Sequence, residues 1–563
     1  MNRAERRRQD RTERTASHAV STDSLQRWLS EGIVHHQSGR LPQAEQVYCR
    51  ILQNDPNHPE ALHLLGLIAF RMGRLDQAGD LISKAIANDT SKAPYCFNLG
   101  VVRQRQGRLD EAAVAYRQAL ALNPRYVEAL SNLGNVWLEQ NRLDDAVTSY
   151  RKALSLKPDY VEAHNNLGVA LKEQGQLTDA VASYREALRL NPTHVEALSN
   201  LGIVLMEQGL LDDAVNSFER ALSIKPDYVK AVYNLAFARL WQQRFDQAMD
   251  AFRRSATLKH DQGRPVTDLL LSKSRLKHDA EQIQYLLDRR LIPESYRPCL
   301  LEIKRLRQRP DLHADVRGRI RVGRDEMATI SPVFNRILHY GEGSALTAGA
   351  LNAGLDVAEI EARYTAGMPE VMYIDHLLND DALQALRRFC LESTIWKRDY
   401  ENGYLGAFIG DGFSCPLLLQ IAEELRLRFP GIFKQHLLTQ AWAFKYDSEL
   451  KGLNIHADAA AVNVNFWLTP DEANLDPSRG GLIVWDKEAP KEWNFKEYNS
   501  SKNEPKVREF LRTGGARAIS IPYRANRAVV FNSDLFHETD QFKFKDEYEC
   551  RRLNVTLLYG RRR

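Results

Sequence analysis

The sequence predicts a multidomain protein: an all-α repeat array, then a helical connector, then a β-rich domain with flanking helices. Three observations predict it. A period of 34 residues runs through the first half, helical apolar spacing without that period fills the middle, and short β-branched segments separated by turn residues follow Val371. At 563 residues the chain is long enough for several cores. The divisions read as a basic arm over 1–21, repeats over 22–259, a connector over 260–367 and the β-rich domain over 368–563.

Lysine and arginine number 77 against 73 acidic residues, and this net charge of +4 argues against a chain built to hold nucleic acid. The six cysteines are scattered and form no C-x-x-C pair, as expected of free thiols in a reducing compartment. The first fourteen residues carry six arginines but no apolar core follows them, so the arm reads as a solvated tail and not as a signal or membrane anchor. Glu5, Asp10 and Glu13 interrupt its charge. A cytoplasmic protein is expected, with no membrane partner.

The repeat is carried by several residue types in step. Asn-Leu-Gly recurs at 98–100, 132–134, 166–168 and 200–202, with Leu64-Leu65-Gly66 before and Asn234-Leu235-Ala236 after. Alanines keep the same register from Ala44 to Ala248, as do Pro56, Pro124, Pro158, Pro192 and Pro226; Thr90 stands where one proline is expected. These residues resemble the tetratricopeptide repeat. The resemblance implies seven helix pairs, small residues where helices cross and Pro ending each second helix. It also implies a superhelix with a concave groove for a peptide or protein. The column Asn98, Asn132, Asn166, Asn200 and Asn234 offers amide donors and acceptors, similar to the asparagine ladder of protein O-GlcNAc transferase. The alternative is that these amides bond within the array.

In the connector, Ala280–Leu291 and Tyr296–Leu306 have helical spacing, and the basic run from Lys304 to Arg321 reads as a solvated helix face. Leu312 to Asp315 reads L-H-A-D. With 15 histidines about one His-x-Asp is expected by chance, so the pattern decides nothing without context.

Context appears further on. Candidate strands are 441–446, 453–457, 461–468, 481–485, 518–522, 528–532 and 553–559, a pattern that argues a β-sandwich or barrel flanked by helices. Residues i and i+2 of a strand share a face, so His456 and Asp458 converge if the strand continues through them. His537 follows another strand. Two histidines and one carboxylate are a set that holds non-haem Fe(II) with open positions opposite. On the last strand Arg552, Asn554 and Thr556 share a face, and a guanidinium fork suits a carboxylate.

The order H-x-D, then G-G-L-I-V-W (480–485), then F-x-x-x-x-F-H, then R-x-x-x-T resembles the Fe(II)- and 2-oxoglutarate-dependent oxygenases, most of all their prolyl-hydroxylase-type branch. The resemblance implies a double-stranded β-helix (jelly roll), with His456, Asp458 and His537 on iron and Arg552 on the far carboxylate of 2-oxoglutarate. Tyr446, Thr556, Asn463, Asn465 and Trp467 would line the co-substrate pocket. Arg551 is the rival of Arg552, although alternation turns it the other way. The insertion 487–513 departs from the pattern and is a candidate substrate lid. The implied cofactors are Fe(II) and 2-oxoglutarate, with dioxygen as co-substrate and room for ascorbate. The implied activity is hydroxylation of a peptide or protein side chain. A scaffold with an inactive oxygenase-like domain and an oxygenase for a small molecule or glycan are the alternatives.

Overall fold

The computed structural model describes residues 22–260, 269–314, 318–400, 403–450, 455–493, 498–499 and 501–561. The basic arm, Asp315 and Arg317 lie outside them. The chain forms two compact units, Met1–Ile224 and Lys225–Arg563.

The first unit contains six helix pairs among its described residues, from Thr22–Gln37 with Leu41–Asn54 to Val195–Glu207 with Leu211–Ile224. The period is a packing rule made visible. Ala44, Ala78, Ala112, Ala146, Ala180 and Ala214 are fully buried, since a larger side chain in each would push two helices apart. The glycine column serves the same purpose: a Cβ at Gly134 would lie 2.6 Å from the Tyr150 ring.

The seventh pair, Val229–Trp241 and Phe245–His260, belongs to the second compact unit, which begins at Lys225. Side chains of this pair bond to the β-rich part of the chain. Trp241 Nε1 donates to the Leu438 carbonyl at 2.9 Å, Tyr233 Oη accepts from Gln440 Nε2 at 2.8 Å, and Lys259 Nζ meets Asp411 Oδ1 at 2.7 Å.

The connector has the two expected helices, Lys273–Asp288 and Arg297–Arg307, but it is not purely helical. β1 (Leu269–Ser272) pairs antiparallel with β2 (Arg319–Val322), bringing together segments almost fifty residues apart that are too short for a period to reveal. Two of its basic residues are internally paired: Arg305 with Glu302 and Glu326, Arg309 with Asp311 and Glu326. The helix Lys273–Asp288 packs on the β-rich part through Gln282 Nε2, which donates to the Ser393 carbonyl at 2.9 Å.

The rest of the unit is built on β3 (Val371–Ile374), β4 (Arg398–Tyr400), β5 (Tyr404–Phe408), β6 (Leu438–Tyr446), β7 (Glu449–Leu450), β8 (Val462–Trp467), β9 (Leu482–Glu488), β10 (Ala518–Ile521), β11 (Ala528–Asn532), β12 (Leu535–Thr539), β13 (Phe542–Lys543) and β14 (Leu553–Tyr559). One antiparallel sheet has the order β3-β11-β8-β14-β6-β5-β4; a second has the order β10-β9-β12. The two share one core, in which Tyr446, Trp467, Val529 and Phe531 of the larger meet Leu482, Val484, Ile521 and Leu535 of the smaller. The opposite face of the larger sheet is covered by helices. There Lys445 Nζ is buried, donating to Tyr548 Oη at 2.8 Å.

Candidate metal centre

His537 stands on β12, after the apolar run of β11, and His456 lies opposite it. The two exchange backbone hydrogen bonds of 3.0 and 2.8 Å as an isolated antiparallel bridge. This corrects the expected strand over 453–457: residues 453–454 lie outside the described residues, and beyond His456 the chain leaves extended pairing. Asp458 reaches the site because its backbone N–H donates to the Ser533 carbonyl at 3.2 Å, and not because a strand continues through it. The expected convergence is present with a different local cause.

One ligand atom from each of His456, Asp458 and His537 lies within 4.8 Å of the others. His537 Nε2 is 3.4 Å from Asp458 Oδ2, and the two imidazole centroids are 4.4 Å apart. His537 Nδ1 faces the Leu535 carbonyl at 3.1 Å, which leaves Nε2 for the centre. Asn463 Nδ2 donates to Asp458 Oδ2 at 2.7 Å. Burial would raise the Asp458 pKa, but hydrogen bonding to His537, the charges of both histidines and the Asn463 bond outweigh it and hold the group below its ordinary value.

Arg552 and Arg551 separate as alternation requires. Arg552 is buried on the inner face, where Nε donates to the Gly480 carbonyl at 2.8 Å and the guanidinium lies over Tyr446 at 4.7 Å, Phe542 at 5.3 Å and Trp467 at 5.8 Å. Arg551 is occupied by Glu281 on the outer side, with Nε to Oε2 at 2.8 Å. Burial lowers the pKa of Arg552. The Gly-Gly pair has a steric role in this arrangement, since a Cβ on Gly481 would lie 1.8 Å from the Ile521 carbonyl oxygen.

The remaining pocket residues are brought together. Thr556 lies opposite Asn465, and Asn465 Nδ2 donates to its Oγ1 at 3.1 Å; Asn554 lies opposite Trp467. Several buried polar atoms here have no protein partner: Arg552 Nη1, Tyr446 Oη, Trp467 Nε1, Asn463 Oδ1, Asn465 Oδ1 and Asn554 Oδ1. Such a concentration is unusual in a folded interior. Residues that sequence reasoning missed are Asn554, whose place on the arginine's face was evident without its role, and the Leu535 carbonyl, which no side-chain pattern signals.

The described part of the insertion packs behind the segments that carry His456, Asp458 and His537: Ala489, Tyr498, Val507 and Leu511 form a cluster with Ile455, Ala457 and Phe536, the neighbours of those three residues that point the other way. Residues 494–497 and 500 lie outside the described residues.

Family models described as "TPR repeat" match residues 100–140 and 134–175, and models described as "Tetratricopeptide repeat" match 35–96, 165–229 and 205–265. The N-terminal region is a tetratricopeptide array. Similar solved structures include MamA, at 27% identity over 29% of this chain and 95% of that one with a TM-score of 0.28. A second is YrrB, titled "a TPR protein with an unusual peptide-binding site", at 23% identity over 32% and 93% with a TM-score of 0.28. A third is a tetratricopeptide repeat protein from Parabacteroides merdae, at 17% identity over 43% and 95% with a TM-score of 0.37. No curated protein matches this chain.

Within the tetratricopeptide array the asparagine column bonds internally. Asn98 Nδ2 donates to His63 Nε2 at 2.8 Å, Asn132 Nδ2 to Tyr116 Oη at 3.4 Å, Asn166 Nδ2 to Asn135 Oδ1 at 3.0 Å and Asn200 Nδ2 to Asn165 Oδ1 at 3.0 Å. On the last repeat Asn234 Nδ2 donates to the Lys230 carbonyl. These bonds engage the Nδ2 of each amide of the column within the array. No helix among the described residues is long and apolar enough to cross a membrane.

Proposed function

We propose that the second unit is an Fe(II)- and 2-oxoglutarate-dependent oxygenase that hydroxylates a side chain of a peptide or protein held by the tetratricopeptide array. The observation that carries this reading is the convergence of His456, Asp458 and His537 in a domain that also buries an arginine with an unpartnered Nη1. The donor set fits the metal, because two imidazoles and one carboxylate suit non-haem Fe(II) and leave positions open. The arginine fits the co-substrate: Arg552 Nη1, Tyr446 Oη and Trp467 Nε1 are buried donors suited to a carboxylate. Two antiparallel sheets around one core support the jelly-roll reading.

When bound, iron and 2-oxoglutarate would supply the oxidant for a substrate C–H bond, with succinate and carbon dioxide as co-products. The chain's own residues do the positioning. The Leu535 carbonyl fixes the His537 ring by accepting at Nδ1, and Asn463 holds one oxygen of Asp458, so both ligands are oriented before metal arrives. The Gly480 carbonyl anchors Arg552 through Nε and leaves Nη1 for the carboxylate. The rings of Tyr446, Phe542 and Trp467 surround the guanidinium and keep water from it. In that drier setting its hydrogen bonds to a carboxylate are stronger.

The test is anaerobic addition of Fe(II) and 2-oxoglutarate, with the metal-to-ligand charge-transfer band as readout. A band is expected with intact protein and none with His456→Ala. Absence of the band in intact, metal-loaded protein would sink the reading. Succinate formation that rises with cell-extract peptides and not with small metabolites would place the substrate among peptides.

A further inference from the structure

The seven-stranded sheet is wider than its three-stranded partner, and part of its inner face beyond β14 is incompletely covered. Register identifies that face. On β6, Trp442 lies opposite Thr556 and Phe444 opposite Asn554, so both point to the side that carries the pocket residues. On β5, Phe408 pairs with Trp442 and Gly406 with Phe444; on β4, Tyr400 pairs with Tyr404. Tyr400, Phe408, Trp442 and Phe444 are all partly exposed. We propose that these four rings form a docking face for an extended acidic peptide with large apolar side chains. The face would lead that peptide toward the metal centre.

Four observations support this occupant. First, the face is continuous with the pocket, since Tyr446, two residues beyond Phe444, is the ring that carries Arg552 at 4.7 Å. Second, the rings pack edge to face and do not make a flat shelf. Phe444 stands at 85° to Tyr400, 80° to Phe408 and 75° to Tyr446, and the rings of Tyr400, Phe408 and Phe444 converge over Gly406. A ribbed aromatic surface of this kind suits branched or ring side chains; a sugar stacks on a flat aromatic face.

Third, a half-exposed cation stands on the described rim. Arg398 lies over Phe408 at 3.9 Å and shares the carboxylate of Asp411 with Lys259. Two cations meet one buried acid, and the Arg398 side chain is 50% exposed, so an anionic partner is favoured. Fourth, two further polar groups of the described rim are already engaged, Gln440 with Tyr233 and Asp411 with the two cations. A glycan would need such groups free. The inference deepens the oxygenase reading by naming its substrate chemistry, but the docking step needs neither metal nor turnover.

The experiment uses the full chain without added metal and fluorescein-labelled octapeptides read by anisotropy. Alternating Glu-Leu peptide is expected to bind saturably, and Lys-Leu and Glu-Ser peptides to bind at least about tenfold more weakly. Trp442→Ala is expected to weaken the Glu-Leu peptide about tenfold. Arg398→Gln, on the exposed rim, is expected to weaken it several-fold, and it decides the matter if Trp442→Ala does not fold. Equal affinity for the three peptides, no effect of Arg398→Gln, or saturable maltoheptaose binding competing with peptide overturns the proposal. The charge-transfer band measured on the same sample separates the two readings. Peptide discrimination without a band overturns the oxygenase alone, and a band without discrimination overturns the docking face alone.

Discussion

The amide column of the tetratricopeptide array and the inner face of the large sheet both place polar side chains inside, and they treat them differently. The column's amides donate to neighbours within the repeats, as in the bonds Asn200 to Asn165 and Asn98 to His63. On the inner face of the large sheet, Arg552, Tyr446, Trp467, Asn463, Asn465 and Asn554 each keep a buried polar atom without a protein partner. An unmet buried donor or acceptor costs about 1–3 kcal/mol. Six such atoms on one face are what the proposed co-substrate would meet, whereas the donors of the amide column are met within the repeats.

The contrast is broken most severely at Arg552. Arg552→Met keeps the length and apolar character within the ring cage but removes the fork, and 2-oxoglutarate affinity by calorimetry is expected to fall about 100-fold, with Fe(II) binding retained. Removing the amide behind a ligand is milder. Asn463→Ala frees Asp458 Oδ2 from its bond, and Fe(II) affinity by competition with a chelator is expected to drop about 10- to 100-fold.

In the array the sharpest probe is pH. Burial, with a smaller contribution from the charge of His36, lowers the His63 pKa from 6.5 to about 4. The unfolded chain therefore binds a proton near pH 6.5 that the folded array resists until about 4. Stability present above pH 6.5 is lost as pH falls through this window, by about 2 kcal/mol at most at pH 4.5. The melting midpoint of the array is expected to fall further on acidification than that of His63→Gln. The smallest effect belongs to Asn200→Ala, which leaves Asn165 Oδ1 without this donor and should cost about 1 kcal/mol in urea unfolding, with the charge-transfer band unchanged.

Much of this was legible because repetition and alternation are consequences of burial. The 34-residue period records one helix crossing reused, and β11 and β14 appear at the expected residues because their apolar runs are buried against neighbours. The grouping of His456, Asp458 and His537 was legible, but its local cause was not. Strand parity placed Asp458 correctly for a reason the backbone does not obey, and its actual anchor, the Ser533 carbonyl, belongs to any residue and leaves no mark on sequence. β4 and β5 escaped notice because they are short and Gly406 interrupts the second. The connector's β1–β2 pair was hidden because a four-residue strand gains its meaning from a partner far along the chain. The asparagine ladder was visible as a column, but a column does not say whether its amides turn inward or toward a guest.

The seventh helix pair carries a consequence for anyone who would exchange the repeats of this protein for another set. The repeating pattern invites a cut after Ala256, yet Tyr233 and Trp241 hold onto Gln440 and Leu438 beyond it. A graft made at that visible seam would tear these anchors away. The transplantable part ends one repeat earlier, at Ile224, and the last helix pair travels with the β-rich domain as the fitting to which any new array must be joined.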